Sequence, residues 1–130
     1  MDQKDQKDQN GMTPLPNHED FEAMLRPRRP TEDGFLGNYA PWVVVCFSAK
    51  WCRPCQRLDK AAIVEATPEV TWYSCDVDEN KVTMGYCGLR SIPSFAVIRD
   101  GSFLDTKVGG QSVNEVLDWL KSKGVSVINQ

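Results

Sequence analysis

The sequence predicts an α/β domain built on a mixed β-sheet with helices covering both faces. Three observations carry this. Apolar, β-branched runs alternate with segments of helical periodicity. The first such run, Trp42-Val-Val-Val-Cys-Phe47, has no charged position, as a strand buried on both faces requires. Beyond it the alternation ends in two strand-like runs that meet at Asp100-Gly101, a hairpin signature.

Each element follows in chain order. Residues 2 to 10 read DQK-DQK-DQN, with no apolar residue. Such a repeat cannot offset its ordering entropy, so residues 1–12 are expected to form a disordered polar tail. A short helix starts at Asn17 or His18 and runs through Phe21, Met24 and Leu25, with Glu19 and Asp20 in its first turn. Arg26-Pro27-Arg28-Arg29-Pro30 stops it, because two prolines cannot continue a helix. These arginines read as a solvated loop rather than a nucleic-acid or docking segment. After the strand at Trp42–Phe47, a helix is expected from about Cys52 to Ala66, ended by Thr67-Pro68.

Val70–Val77 reads as the second strand. Asp78 can cap a short helix that stops at Gly88. Ile92-Pro93 opens a third strand, Ser94–Arg99, and the hairpin leads to a fourth, Ser102–Val108. Ser112 and Glu115 form a capping box ahead of Val113, Val116, Leu117 and Leu120 at helical spacing, with Gly124 as the stop. One domain is therefore expected over residues 13–124, with a C-terminal tail at 125–130.

Composition bounds the chemistry. The 130 residues leave room for one domain with one real core. A net charge of −3 argues against a nucleic-acid surface. No apolar run approaches the roughly 20 residues of a membrane span, so no membrane partner is expected. The polar N-terminus reads as neither secretory signal nor transit peptide. Five cysteines, an odd number, fit a reducing compartment and hence a cytoplasmic location.

Two of those cysteines stand two residues apart in Trp51-Cys52-Arg53-Pro54-Cys55. Such a pair can hold half a zinc ion, close a structural disulfide, or shuttle between dithiol and disulfide. Zinc needs two further ligands, and the sole histidine, His18, lies far away in the N-terminal segment, so no metal and no bound cofactor are expected. Position favours redox chemistry. Cys52 follows a buried strand and opens a helix, where backbone N–H groups and the helix dipole stabilise a thiolate. Cys52 is thus the expected nucleophile, and Cys55, a turn further in, the resolving thiol. Arg53 and Pro54 between them are candidates for tuning the couple. Trp51 offers a flat apolar lip for a polypeptide.

The chain resembles the thioredoxins. The resemblance rests on Trp51-Cys52-x-Pro54-Cys55 after a buried strand, Asp76-Val-Asp78, Gly88-Leu-Arg-Ser-Ile-Pro93, Asp100-Gly101 and Val108-Gly109, in the right order. It implies a thioredoxin fold, with a central mixed sheet of about five strands and about four flanking helices. It implies a cis peptide at Ile92-Pro93 facing the dithiol, and a substrate surface made of Trp51, Ile92, Pro93 and Gly109. It implies reduction of protein disulfides, with recharging by a thioredoxin-reductase-type enzyme or a low-molecular-weight dithiol. The expected working form is a monomer. Alternatives are a redox-switched peptide-binding or chaperone module, and a more oxidising, isomerase-like or small-dithiol-coupled protein.

Departures from the family pattern concern charge. Thioredoxins usually bury an aspartate where this chain has Cys46, with a lysine where it has Ser74, so both members of the pair are expected to be neutral here. The usual kink proline is Lys60, and the usual glycine is Arg53. Cys46 and Cys75 read as small buried hydrophobes. Cys87 is expected at the surface as a candidate regulatory thiol. His18 reads as solvated, and Trp42, Trp72 and Trp119 as packing residues.

Overall fold

In the computed structural model of the chain, residues 6–25, 41–110 and 112–128 are described. The Arg26–Pro30 segment and the stretch up to residue 40 lie outside them. Along the chain run β1 (Thr13–Pro14), α1 (His18–Met24), β2 (Trp42–Ser48), α2 (Arg53–Arg57), α3 (Lys60–Ala66), β3 (Val70–Asp76), α4 (Lys81–Tyr86), β4 (Ser94–Arg99), β5 (Ser102–Val108) and α5 (Val113–Lys123).

The five strands form one sheet in the order β1-β3-β2-β4-β5. β2 sits at its centre, parallel to β3 and antiparallel to β4, because its apolar side chains can be buried on both faces. Trp42, Val44 and Cys46 point to one face, where they pack with Ile63 of α3 and with Val116, Leu117 and Leu120 of α5. Val45 and Phe47 point to the other, against Phe21 of α1, Cys75 and Leu89. Alternation along one strand thus builds two cores. The hairpin β4–β5 turns at Asp100 and Gly101, both with positive φ. The Ser112 hydroxyl accepts from the Glu115 N–H, and left-handed Gly124 closes α5, as the capping signals predict.

Several features depart from the sequence reading. β1 is a two-residue edge strand parallel to β3, too short to leave a periodic signal; Pro14 is tolerated there because an edge needs no ladder donor. Asp8 holds a turn by accepting from the N–H groups of Asn10 and Met12, and Met12 is fully buried. Residues 8–12, expected as part of the disordered tail, are therefore folded, and residues 1–5 of that tail lie outside the described residues. At the other end, Val125 is buried, Ser126 N–H donates to Glu69 and Ile128 N–H donates to the Ala66 carbonyl, so 125–128 packs on the domain. The helix expected over 52–66 is two helices. Leu58 is extended, and the Asp59 carboxylate accepts from Ala62 N–H to start α3 afresh, a role aspartate fills readily.

The cap of α4 also shifts. Asn80, not Asp78, accepts from the N–H groups of Val82 and Thr83. Its amide also donates to the Thr83 hydroxyl and the Leu15 carbonyl. His18 joins this network through Nδ1 at 2.9 Å from Thr83 Oγ1, pairs with Glu22 at 3.1 Å, and lies against Phe21 and Tyr86. It is a tie between α1 and α4 rather than a solvated residue.

Candidate active site

The strand–helix junction places the dithiol. β2 ends at Ser48, and Ala49, Cys52 and Cys55 form a small buried cluster against Val77 and Ile92. Cys52 and Cys55 are joined in a disulfide, with Cα atoms 5.3 Å apart. Cys52 is the N-cap of α2, and its sulfur accepts from the Cys55 N–H at 3.3 Å. Pro54 fits the first turn, where no intrahelical donor is needed. Because α2 has five residues, the field at Cys52 comes from local N–H groups rather than a long helix dipole. Of the pair, Cys52 keeps 4% of its surface exposed and Cys55 none.

Around the disulfide lie the other residues singled out from the sequence. Trp51 is 67% exposed, and its indole Nε1 donates to the Asp78 carboxylate at 3.0 Å. That bond is what Asp78 does instead of capping α4. The Ile92–Pro93 peptide is cis, and Ile92 packs on the dithiol cluster. Gly109, at φ +81°, donates its N–H to the Pro93 carbonyl at 2.8 Å, which ties the start of the β5–α5 connection to the cis peptide. Arg53 is exposed on the first turn of α2. Trp51, Val77, Met84, Arg90, Ser91 and Ile92 line a groove of about 350 Å³ beside the disulfide. Met84 carries no signal in the sequence alone, and Arg90, though it stands inside the Gly88–Pro93 motif, is not singled out as a site residue.

The remaining thiols are built differently. Burial pushes Cys46 up to about 12, against an attractive contribution from Lys60. Burial first, then the Asp76 carboxylate, pushes Cys75 up to about 12. Cys87, expected at the surface, is half-buried at the end of α4, and burial pushes it to about 11. All three therefore stay protonated at neutral pH, unlike a reactive cysteine. Among the described residues no group of three or more His, Cys, Asp or Glu is arranged to hold a metal ion, and no helix is long and apolar enough to cross a membrane.

Cys46 and Ser74 are the neutral pair read from the sequence, and the charge beside them comes from other residues. Cys46 and Ser74 are register partners on β2 and β3, and both line a cavity of about 210 Å³. Lys60 lines it as well and is only 9% exposed. Asp8, Asp76 and Glu79 line it too, so the strand pair is neutral while the cavity beside it carries charge of both signs.

The thioredoxin family model matches residues 33–122. This chain belongs to the thioredoxin family. It is 38% identical over 82 residues to a thioredoxin of Rickettsia prowazekii, covering 60% of this chain and 77% of that one. A thioredoxin of Bacillus subtilis is 33% identical over 87 residues, covering 62% and 82%. In fold it is similar to oxidised mitochondrial thioredoxin 3 of Saccharomyces cerevisiae, with TM-score 0.68, 23% identity, and coverage of 85% and 94%. A thioredoxin from Trypanosoma brucei brucei gives TM-score 0.69 at 20% identity, covering 86% and 89%. Family membership and the Cys52–Cys55 pair make the chain a thiol–disulfide oxidoreductase that reduces protein disulfides. Such a protein takes disulfide-bearing proteins as substrates and needs a reductant to regain its dithiol.

Proposed function

We propose that Cys52 is the attacking sulfur and Cys55 the resolving one. The observation that supports this is the difference in access: Cys52 sits at the mouth of α2 with a backbone N–H on its sulfur, and Cys55 is sealed beneath it. In the reduced protein the Cys52 thiolate attacks one sulfur of a substrate disulfide. The other substrate sulfur leaves as a thiolate and takes up a proton. Cys55 then gives up its proton and attacks Cys52, which releases the second substrate sulfur and leaves the internal disulfide. Two electrons pass to the substrate. Trp51, Ile92, Pro93 and Gly109 form the surface on which an extended substrate lies, with the Ile92 backbone as its strand-pairing edge. Arg53 and Pro54 tune the couple.

The disulfide is returned to the dithiol by a thioredoxin-reductase-type enzyme or a low-molecular-weight dithiol that docks on the same face. Three cysteines outside the pair remain free thiols, which fits a cytoplasmic protein working as a monomer. Cys87, at the end of the helix that also carries Met84, is the candidate regulatory thiol. The test is an insulin-reduction assay with a Cys55→Ser variant and a double Cys52→Ser, Cys55→Ser variant. The first should accumulate mixed disulfides through Cys52, and the second should lose activity. A double variant that still acts on its targets would make the chain a binding module whose dithiol is incidental.

A further inference from the structure

The helix that carries Cys55 is short. α2 has five residues and is cut off from α3 by extended Leu58. Isolated helices below about 12 residues are marginal in water, so whatever ties α2 to the end of β2 sets how far apart the two sulfurs can drift. Two hydrogen bonds besides the disulfide do this, and both end on one atom. The Ala49 carbonyl accepts from the Cys52 N–H at 3.1 Å and from the Gln56 side-chain amide at 3.0 Å. Ala49 is 2% exposed and packs in one cluster with Cys52 and Cys55. Gln56 follows Cys55 in α2, and its main-chain N–H donates to the Cys52 carbonyl at 3.1 Å. Its side chain thus spans the dithiol, from the helix beside Cys55 back to the residue where the connection leaves the strand. Neither bond to the Ala49 carbonyl involves sulfur, so both can persist when the disulfide opens.

We infer that Gln56 is a positioning residue for thiol exchange, whose amide keeps Cys55 within reach of Cys52 while the disulfide is open. The inference rests on the dithiol reading above and deepens it. In the oxidised protein the S–S bond already holds loop and helix together, so the Gln56 bond forms at little further cost in ordering. In the dithiol and in the mixed disulfide the sulfurs no longer close the loop, and the hydrogen bond carries the restraint. Linkage is reciprocal: the closed disulfide favours the Gln56 bond, and the bond favours the closed disulfide by the same factor. The restraint also acts on rate, because a held Cys55 thiolate meets the mixed disulfide at high effective concentration. It attacks the Cys52 sulfur, a bond forms between the two cysteines, and the bond to the substrate sulfur breaks. That sulfur leaves as a thiolate and takes up a proton. Gln56 itself gives up neither electrons nor protons. The net strength of one neutral hydrogen bond corresponds to a factor of about two to ten.

The experiment compares the full-length parent with Gln56→Met and Gln56→Lys. Methionine keeps the length and removes the donor, and lysine supplies a donor of similar reach. Each protein is equilibrated with glutathione, so that protein dithiol and glutathione disulfide exchange with protein disulfide and two glutathiones. Salt at about 0.5 M screens the charge that lysine adds. Gln56→Met should lower the equilibrium constant for disulfide closure about two- to tenfold, and Gln56→Lys should recover most of it. Acid quench during insulin reduction should trap more of the Cys52 mixed disulfide in Gln56→Met than in the parent, by a similar factor. Urea unfolding of both redox forms closes the cycle: Gln56→Met should weaken the oxidised form more than the reduced one. An unchanged glutathione constant with equal losses in the two forms would make Gln56 a surface residue of no consequence for the exchange and overturn the inference. A lysine variant that behaves like the methionine one would overturn it too, because the donor would then be irrelevant. In either case the parent still reduces insulin and the dithiol reading stands. If the parent reduces no insulin, the dithiol reading falls and takes the inference with it.

Discussion

Replacing Cys46 by aspartate tests the cavity between β2, β3 and Lys60 more sharply than any other substitution. The Cys46 thiol is fully buried, and its pKa rises from 9.0 to about 12 although Lys60 pulls it down. With the thiol pushed that far, a negative charge there costs on the order of 4 kcal/mol relative to water. A carboxyl in the same place meets the same desolvation. Its pKa should climb well above the usual value of about 3.9, so that it stays protonated in the folded protein long after it would ionise in the unfolded chain. A folded pKa above the unfolded one means that stability is fully present below about pH 4 and is lost as pH rises through the raised folded pKa. Urea unfolding followed by tryptophan fluorescence gives the comparison. The loss in Cys46→Asp relative to the parent should be larger at pH 8 than at pH 4.5 by about 3 kcal/mol. Adding Lys60→Met should deepen the loss at pH 8 by more than Lys60→Met costs alone, with a coupling of about 1 kcal/mol. A penalty that is the same at both pH values would show that the site is wet and the reasoning wrong. Strict additivity would show that Lys60 does not face residue 46.

Other consequences are as direct. Cys52→Ser should abolish reductase activity, whereas Cys55→Ser should keep a thiol that iodoacetamide labels at pH 7; faster labelling of Cys55 than of Cys52 in the reduced protein would reverse the assigned roles. Arg53→Gly should raise the Cys52 pKa and lower the reduction potential together. Arg53 is exposed and screened, so the shift should be a fraction of the roughly 30 mV that one pKa unit is worth, measured by equilibration with glutathione. Cys87, pushed to about 11, should cross-link two chains slowly at neutral pH, and the rate should rise about tenfold per pH unit toward 11, as thiolate chemistry requires. Dimers that persist on non-reducing gels of Cys87→Ser would assign that bond elsewhere. Thr67→Val should cost about 1–3 kcal/mol in urea unfolding, because the buried Trp72 Nε1 loses its acceptor at 2.9 Å, and Thr67→Ser should restore most of it.

The elements that could be read in advance are those whose signal is local. β2 is apolar on both faces, Asp100-Gly101 is a turn whatever surrounds it, and the Ser112–Glu115 cap and Gly124 stop are decided within a few residues. The dithiol could be placed for the same reason, as a motif between a strand and a helix. What stayed hidden depends on partners distant in sequence. β1 exists because β3 offers an edge, not because Thr13-Pro14 favours a strand. Met12 is core because the Asp8 turn folds back. Asp59 divides a helix whose apolar spacing runs on without a break. Lys60 was expected only as an absent proline, and it is the contact with the Cys46 cavity that gives its charge a meaning. His18 and Asp78 were misplaced alike, since each one's partner, Thr83 or Trp51, comes from another element.

The stretch that precedes the family match sets where the protein can be cut. The match begins at residue 33, yet Met12, Leu15 and Phe21 are each buried to 2% exposure or less. Burying each such side chain is worth about 1.5–3 kcal/mol, and a whole domain is held by only about 5–15 kcal/mol. A fragment trimmed to the matched residues would strip Met12 from the core on one face of the sheet and Leu15 and Phe21 from the core on the other, and leave Ser74 and Asn80 without their Leu15 backbone partners. An expression fragment for this protein should therefore start no later than Asp8, whose hydrogen bonds close the turn that seats Met12 in the core.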